Sequence, residues 1–152
     1  MEKVTLRNAT AYAPGTAEAQ ALVLRQPLSF WGGLDAETGR IIDRAHPDAG
    51  TSVTGVVLVM PGARGSSSSS SVLAETLRRG TGPAAIVLAV ADPILPVGAI
   101  VAASLYGEGC PIVVCSIEGI QSGDRVRVRA GDDGSAEVEV VEPFGRALGG
   151  GS

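Results

Sequence analysis

Three short runs with almost no polar position mark the middle of the chain: GVVLVM ending at Met60, AAIVLAVADP over residues 84–93, and CPIVVC from Cys110 to Cys115. A strand with one wet face alternates polar and apolar residues, so runs like these, rich in Val and Ile, have to be covered on both faces. Between the first two lies VLAETLRRG, helix-like and closed by Gly80, with Val72, Leu73, Thr76 and Leu77 on one helical face. Between the last two lies ILPVGAIVAASLYGEG, of helical length and closing on Gly107, which reads as a buried helix. Strand, helix, strand, helix, strand is the pattern of a parallel sheet with crossover helices.

The rest of the chain reads differently. DRVRVRAGDDGSAEVEVVEP alternates strictly around a Gly-Asp-Asp-Gly turn, which predicts an antiparallel hairpin with one wet face. Upstream, Ala21–Leu24 is a short strand candidate, Thr38-Gly39 a turn, and Arg40–Asp43 another short strand. The expected architecture is α/β: a small mixed sheet with a parallel core and antiparallel flanking strands. A chain of 152 residues supports one such domain, residues 1–148, followed by a short flexible tail, 149–152, in ALGGGS.

Composition narrows the function classes. A net charge of −4 opposes phosphate-backbone binding, and with 3% aromatic residues there is little to stack on unpaired bases, so no nucleic-acid partner is expected. The first residues, MEKVTLRNATAYAPG, lack the apolar core of a signal peptide, and no apolar run is long enough to span a bilayer. A cytoplasmic protein with no membrane partner is expected. Cys110 and Cys115 are five positions apart, an odd offset that points them to opposite faces of a strand. They read as two small buried apolar residues, with no metal site on this chain, since two such thiols cannot hold an iron–sulfur cluster.

Six consecutive serines, Ser66 to Ser71, follow PGARG. Such a tract usually marks a linker, but linkers have polar flanks, and this one joins an apolar strand directly to an amphipathic helix. A strand-to-glycine-to-helix passage gathers free backbone N–H groups at one spot. Gly62 and Gly65 permit positive φ, one of the first serines is placed to cap the helix, the hydroxyls of Ser66, Ser67 and Ser68 add donors, and Arg64 offers a fork for a carboxylate or phosphate. The alternatives are an anion cradle and a plain Ser-rich helix start. The cradle gains from its place at the carboxyl end of a parallel strand, where open α/β sheets bind ligands. It is not a Walker A loop, lacking the Lys and its spacing.

Other residues carry less. His46, in DRAHPDAG, reads as a structural or interface residue, with substrate contact as its alternative, and Asp43 reads similarly. Trp31, ahead of Gly32 and Gly33, is either a core residue or an anchor for a partner.

LSFWGGLDAETGRIIDRAHPDAG, then VLVMPGARGSSSSSSVLAE, then GTGPAAIVLAVADPILPVGAIVAASLYG with CPIVV, resemble in that order the small subunit, or swivelling domain, of the aconitase X family, over about residues 20 to 116. The resemblance implies a swivelling β/β/α domain that works with a larger partner, and hydro-lyase activity on cis-3-hydroxy-L-proline or on mevalonate 5-phosphate. It implies no cofactor on this chain and an iron or iron–sulfur centre on the large subunit, taking the leaving hydroxyl. The family's Arg-Gly-Ser signature falls on Arg64, Gly65 and Ser66, with Ala63 where many members carry a Gly-like residue. Ser66 would then be the catalytic base, and Arg64, Gly65, Ser67 and Ser68 would bind the small anionic substrate. The Ala- and Arg-rich, Lys-poor composition favours hydroxyproline of the two substrates. A non-catalytic anion-binding module is the alternative from another class, and a purely structural assembly partner is a third.

Overall fold

The three apolar runs lie side by side and parallel as β3 (Val57–Met60), β4 (Ala85–Leu88) and β5 (Ile112–Val114). The computed structural model describes residues 5–145. Ahead of these strands come β1 (Thr5–Ala13), β2 (Gly15–Val23) and a distorted turn, α1 (Phe30–Gly33). The crossovers are α2 (Ser69–Arg79) and α3 (Leu95–Tyr106), and β6 (Arg125–Ala130) and β7 (Ser135–Glu142) form the expected hairpin. Both helices end on a left-handed glycine, Gly80 and Gly107.

The parallel core and antiparallel flanks are present, but they do not stop at a sheet. The strands close into a seven-strand barrel in the order β1-β5-β4-β3-β2-β6-β7. Closure comes from the two amino-terminal strands. β2 pairs with β6 through Gly15–Gln20 and with β3 through Ala21–Val23, while β1 pairs with β7 through Thr5–Thr10 and with β5 through its last residues. The strand expected at Ala21–Leu24 is only the end of β2. The strand expected over Arg40–Asp43 is reduced to single bridges, Leu34 with Ile41 and Arg40 with Ser52, because each flanking segment bends away. Asp35 draws one turn together by accepting from Glu37 N–H and the Thr38 hydroxyl, and Asp43 starts another by accepting from Ala45 N–H. The proposed tail, 149–152, lies outside the described residues.

The apolar runs are apolar because their two faces enter different cores. Leu58, Met60, Ile86, Leu88 and Ile112 point to the helices and meet Leu73, Leu77, Leu95, Ala99 and Phe30. Val57, Val59, Ala85, Val87 and Val113 point into the barrel and meet Val126, Val128, Val138 and Val140. Large side chains thus face the helix layer, and Val and Ala fill the narrow barrel interior, each fully buried Val, Leu or Ile contributing about 1.5–3 kcal/mol. Cys110 belongs to the helix-side core and Cys115 packs on the barrel-side core, so their faces are opposed as expected.

On the wet face of the hairpin Glu18 accepts from Arg125 at 2.6 Å and Arg127 at 2.9 Å, and Arg127 also reaches Glu139 at 3.1 Å. These half-buried to exposed pairs fix strand register more than they stabilise the fold. The base of the hairpin is tied by the wholly buried Asp124, which accepts from Gln121 N–H and Phe144 N–H, both at 2.9 Å.

The helix expected to be buried is so on one side only. Leu95, Gly98, Ala99 and Ala102 of α3 are inside, whereas Val97, Ile100, Val101 and Leu105 face out.

Candidate functional site

The serine tract starts beyond the carboxyl end of β3 and is half loop, half helix: Ser66, Ser67 and Ser68 precede α2, and Ser69, Ser70 and Ser71 form its first turn. Arg64, Gly65, Ser66 and Ser67 are exposed, Ser68 is half-buried and Ser69 is buried. All five residues read from the sequence as the site therefore lie on one continuous loop, four of them open to solvent.

The loop folds this way for local reasons. Gly65 has φ +113°, and a Cβ there would collide with Ser29 Oγ and stand 3.3 Å from Ser69 Oγ, so a side chain is excluded by both conformation and space. Gly62, by contrast, does not use positive φ, so only one of the two glycines supplies the conformation expected of both. Ser66 Oγ accepts from Ser68 N–H at 3.1 Å, a serine turn one step ahead of the helix. Ser68, which occupies the N-cap position, makes no side-chain cap bond. Ser69 N–H donates to Ser66 O at 3.0 Å, and the Ser70 N–H and hydroxyl both donate to Ser67 O, at 3.3 and 2.9 Å.

These bonds redistribute the free donors. The first helical N–H groups are consumed by the loop's own carbonyls. Among the described residues, the N–H groups of Gly65, Ser66 and Ser67, the hydroxyls of Ser67 and Ser68, and the Arg64 guanidinium have no recorded acceptor or counter-ion. An exposed cation, three amides and two hydroxyls at the amino end of an eleven-residue helix suit an anion. The Ser66 hydroxyl differs from its neighbours, because an accepted N–H bond favours the oxygen's charged form.

A second layer holds the loop. Trp31 N–H donates to Ser69 Oγ at 3.1 Å, and Ser29 Oγ donates to Trp31 O at 2.9 Å, clamping α1 onto the start of α2. Phe30 is buried in the helix-side core, while Trp31 is 58% exposed, held to the serine loop through its backbone N–H. Asp92 caps α3 by accepting from Ile94 N–H at 3.0 Å and Leu95 N–H at 2.7 Å. Gly98 lets α3 approach α2 so closely that a Cβ would overlap Ser70 O. A groove of about 250 Å³ opens between the helices, lined by Ser70, Ser71, Glu75, Val97, Val101 and Tyr106.

His46 is not at the loop. It is buried, its Nδ1 accepting from Asp48 N–H at 3.0 Å and its Nε2 lying 3.2 Å from Gln26 O, which makes it a pin between two loops. Among the described residues no three His, Cys, Asp or Glu side chains gather to hold a metal. Burial pushes the Cys110 thiol up to about 12 and raises that of Cys115 against the opposing charge of Arg7. Thiols held protonated on opposite faces of a strand do not fit an iron or iron–sulfur centre.

Residues 6–139 match the family described as the aconitase X swivel domain. This chain belongs to that family. Thermococcus kodakaraensis aconitase X, in its holo-form crystal structure, is similar to it at 32% identity and a TM-score of 0.74, with 87% of this chain and 98% of that one covered. The phosphomevalonate dehydratase small subunit of Pyrococcus furiosus is 40% identical over 84% of this chain and 89% of its own length. The cis-3-hydroxy-L-proline dehydratase of Hypocrea jecorina is 34% identical over 92% of this chain but only 26% of its own. The swivel-domain chain therefore spans about a quarter of that relative's length.

In this swivel domain Ser29, Ser69, Asp92 and Gly98 were not read from the sequence as parts of the site. Asp92 before a helical run was a visible capping signal. The others act through contacts between segments far apart in the chain, which no local pattern encodes.

Proposed function

We propose that this swivel domain is the small subunit of an aconitase X-type hydro-lyase, dehydrating a hydroxy acid together with a larger subunit that carries the iron or iron–sulfur centre. The observation that carries this reading is the exposed Arg64-Gly65-Ser66 loop, with Ser66 Oγ bound to Ser68 N–H and unused donors on either side. Ser66 takes the proton from the carbon beside the substrate carboxylate. The electron pair left on that carbon forms the new double bond as the hydroxyl leaves the neighbouring carbon, and the groups that receive it lie outside this chain. Serine is a weak base, so its alkoxide needs stabilisation, which Ser68 N–H and the positive end of α2 supply. Arg64, the Gly65 amide, Ser67 and Ser68 hold the substrate's anionic group.

The first substrate is cis-3-hydroxy-L-proline, supported by the Hypocrea jecorina relative, whose likeness runs over 92% of this chain. Mevalonate 5-phosphate is the second reading, supported by the phosphomevalonate dehydratase small subunit of Pyrococcus furiosus, a chain of which the likeness covers 89%. The test is water loss from each compound by the two subunits purified together without oxygen, with Ser66→Ala in parallel. A catalytic Ser66 predicts turnover by the wild-type pair only, on one substrate, and a fall of about 10²–10⁴-fold in the variant with substrate affinity nearly unchanged. A variant that keeps its turnover overturns the catalytic role and leaves an anion-binding or assembly domain.

A further inference from the structure

Six of the eleven exposed large apolar side chains among the described residues gather on one side of the molecule: Trp31, Val90, Val97, Ile100, Val101 and Leu105. Three of them border the serine loop. Trp31 is joined to Ser69 through its backbone, Val90 Cβ lies 4.0 Å from where a Gly62 Cβ would stand, and Val97 lines the groove with Ser70 and Ser71. From Val97 the patch continues along α3, because steps of about 100° per residue keep positions 97, 100, 101 and 105 on one arc of the helix. Its opposite arc, Leu95, Gly98, Ala99 and Ala102, is the buried one, with Gly98 against Ser70 of α2 and the other three in the helix-side core. The wet hairpin face carries the Arg and Glu pairs instead.

We propose that this apolar face is the surface on which the larger subunit docks, with Trp31, Val90 and Val97 closing as a rim around Ser66. The inference rests on the function proposed above. Three observations choose this occupant. The patch is continuous with the candidate site, so what covers it also covers the serine loop. The loop as it stands is open to water, whereas the Ser66 alkoxide requires a dry surrounding. In the Hypocrea jecorina relative the matched region is 26% of the chain, so there the same domain is built onto a much larger body. An apolar patch with an exposed Trp at one end suits a stable protein interface better than a metabolite site.

The experiment measures the affinity of the purified aconitase X large subunit from the same organism for wild-type swivel domain and for Trp31→Ala, Val97→Asp and Leu105→Asp. Leu6→Asp is a matched control, since Leu6 is 56% exposed on β1, outside the patch. Circular dichroism melts verify folding, and three separate positions keep the test alive if one variant fails to fold. The expected result is a Kd weakened at least ~10-fold by each patch variant and less than ~2-fold by Leu6→Asp. An active wild-type pair whose affinity is unaffected by the patch variants, or is equally weakened by Leu6→Asp, overturns the docking surface and leaves the function standing. Absence of any wild-type complex and any turnover overturns both.

Discussion

Gly98 offers the sharpest test of how the helix layer holds the serine loop. A Cβ at this position would overlap Ser70 O and stand 3.0 Å from Ser70 C and 3.1 Å from Ser70 Cα, all backbone atoms that cannot rotate away. Carbon atoms pack best at about 3.5–4.0 Å, so Gly98→Ala forces α3 and α2 apart by roughly 0.5–1 Å. Overpacking of this kind costs about 1–3 kcal/mol, and the better helix propensity of Ala returns about 1 kcal/mol. The expected net loss is ~0–2 kcal/mol, or up to about 8 °C in Tm for a chain of this size. The effect on activity is larger than on stability. Ser70 N–H and Oγ both bind Ser67 O, so a displaced Ser70 carries the loop with it. A misplacement near 1 Å can cost about 10²-fold in rate, which sets the expected fall in turnover of the reconstituted enzyme at ~10–100-fold. Gly109→Ala is the control, since nothing stands within 4 Å of a Cβ there and its φ is ordinary. Thermal melts and steady-state turnover on the same preparations decide the matter. If Gly98→Ala matches wild type in both, the close approach is not a constraint. If Tm falls while turnover holds, the contact does not reach the loop.

Two predictions concern titration. Iodoacetamide at mildly alkaline pH should leave Cys110 of the native protein unmodified and label Cys115 slowly, with both labelled after denaturation, as read by peptide mass spectrometry. Rapid native labelling of Cys110 would contradict the burial that pushes its thiol to about 12. Glu75 is lowered from 4.5 to about 2, first by the hydrogen bond from Arg78 and then by that from Arg79. Its contribution to stability is therefore fully present above its unfolded pKa and is lost as pH falls through about 2. Carbon-13 NMR of its carboxyl should show a midpoint near that value, and a midpoint near 4.5 would mean that the pairs do not form in solution.

The sequence patterns that identified β3, β4, β5, the two crossovers and the hairpin were strong because both faces of each strand, or one face of each hairpin strand, are filled by Val, Ile and Leu. The patterns of β1 and β2 were weak for the converse reason. Their barrel-facing positions are Ala9 and Ala11, and Ala17, Ala19 and Ala21, small enough for a narrow interior but poor markers of a strand. With those strands unread, closure was out of reach, because it depends on β1 and β2 each finding partners on two sides. The outward face of α3 was misread as core because an apolar helix has the same composition whether a domain or a partner covers it. The serine loop was legible as a place, from the strand before it and the helix after it. Its internal wiring was not, since the Ser66 hydroxyl binds Ser68 N–H one step ahead of the helix and the N-cap Ser68 makes no side-chain cap bond, and the clamp from Trp31 to Ser69 joins residues 38 positions apart.

Barrel closure has a consequence for how such a domain can be joined to other chains. Every strand of the barrel already has a neighbour on each side, so none of them is an edge on which another protein could extend the sheet. Backbone ladders are indifferent to sequence, and a domain with free edges can be captured by almost any extended segment. Here attachment has to be written in side chains, one position at a time, which makes it selective and also adjustable by single substitutions. The same surface can then serve a separate subunit or a tethered one, because no hydrogen-bonded seam would have to be opened to pass from one arrangement to the other.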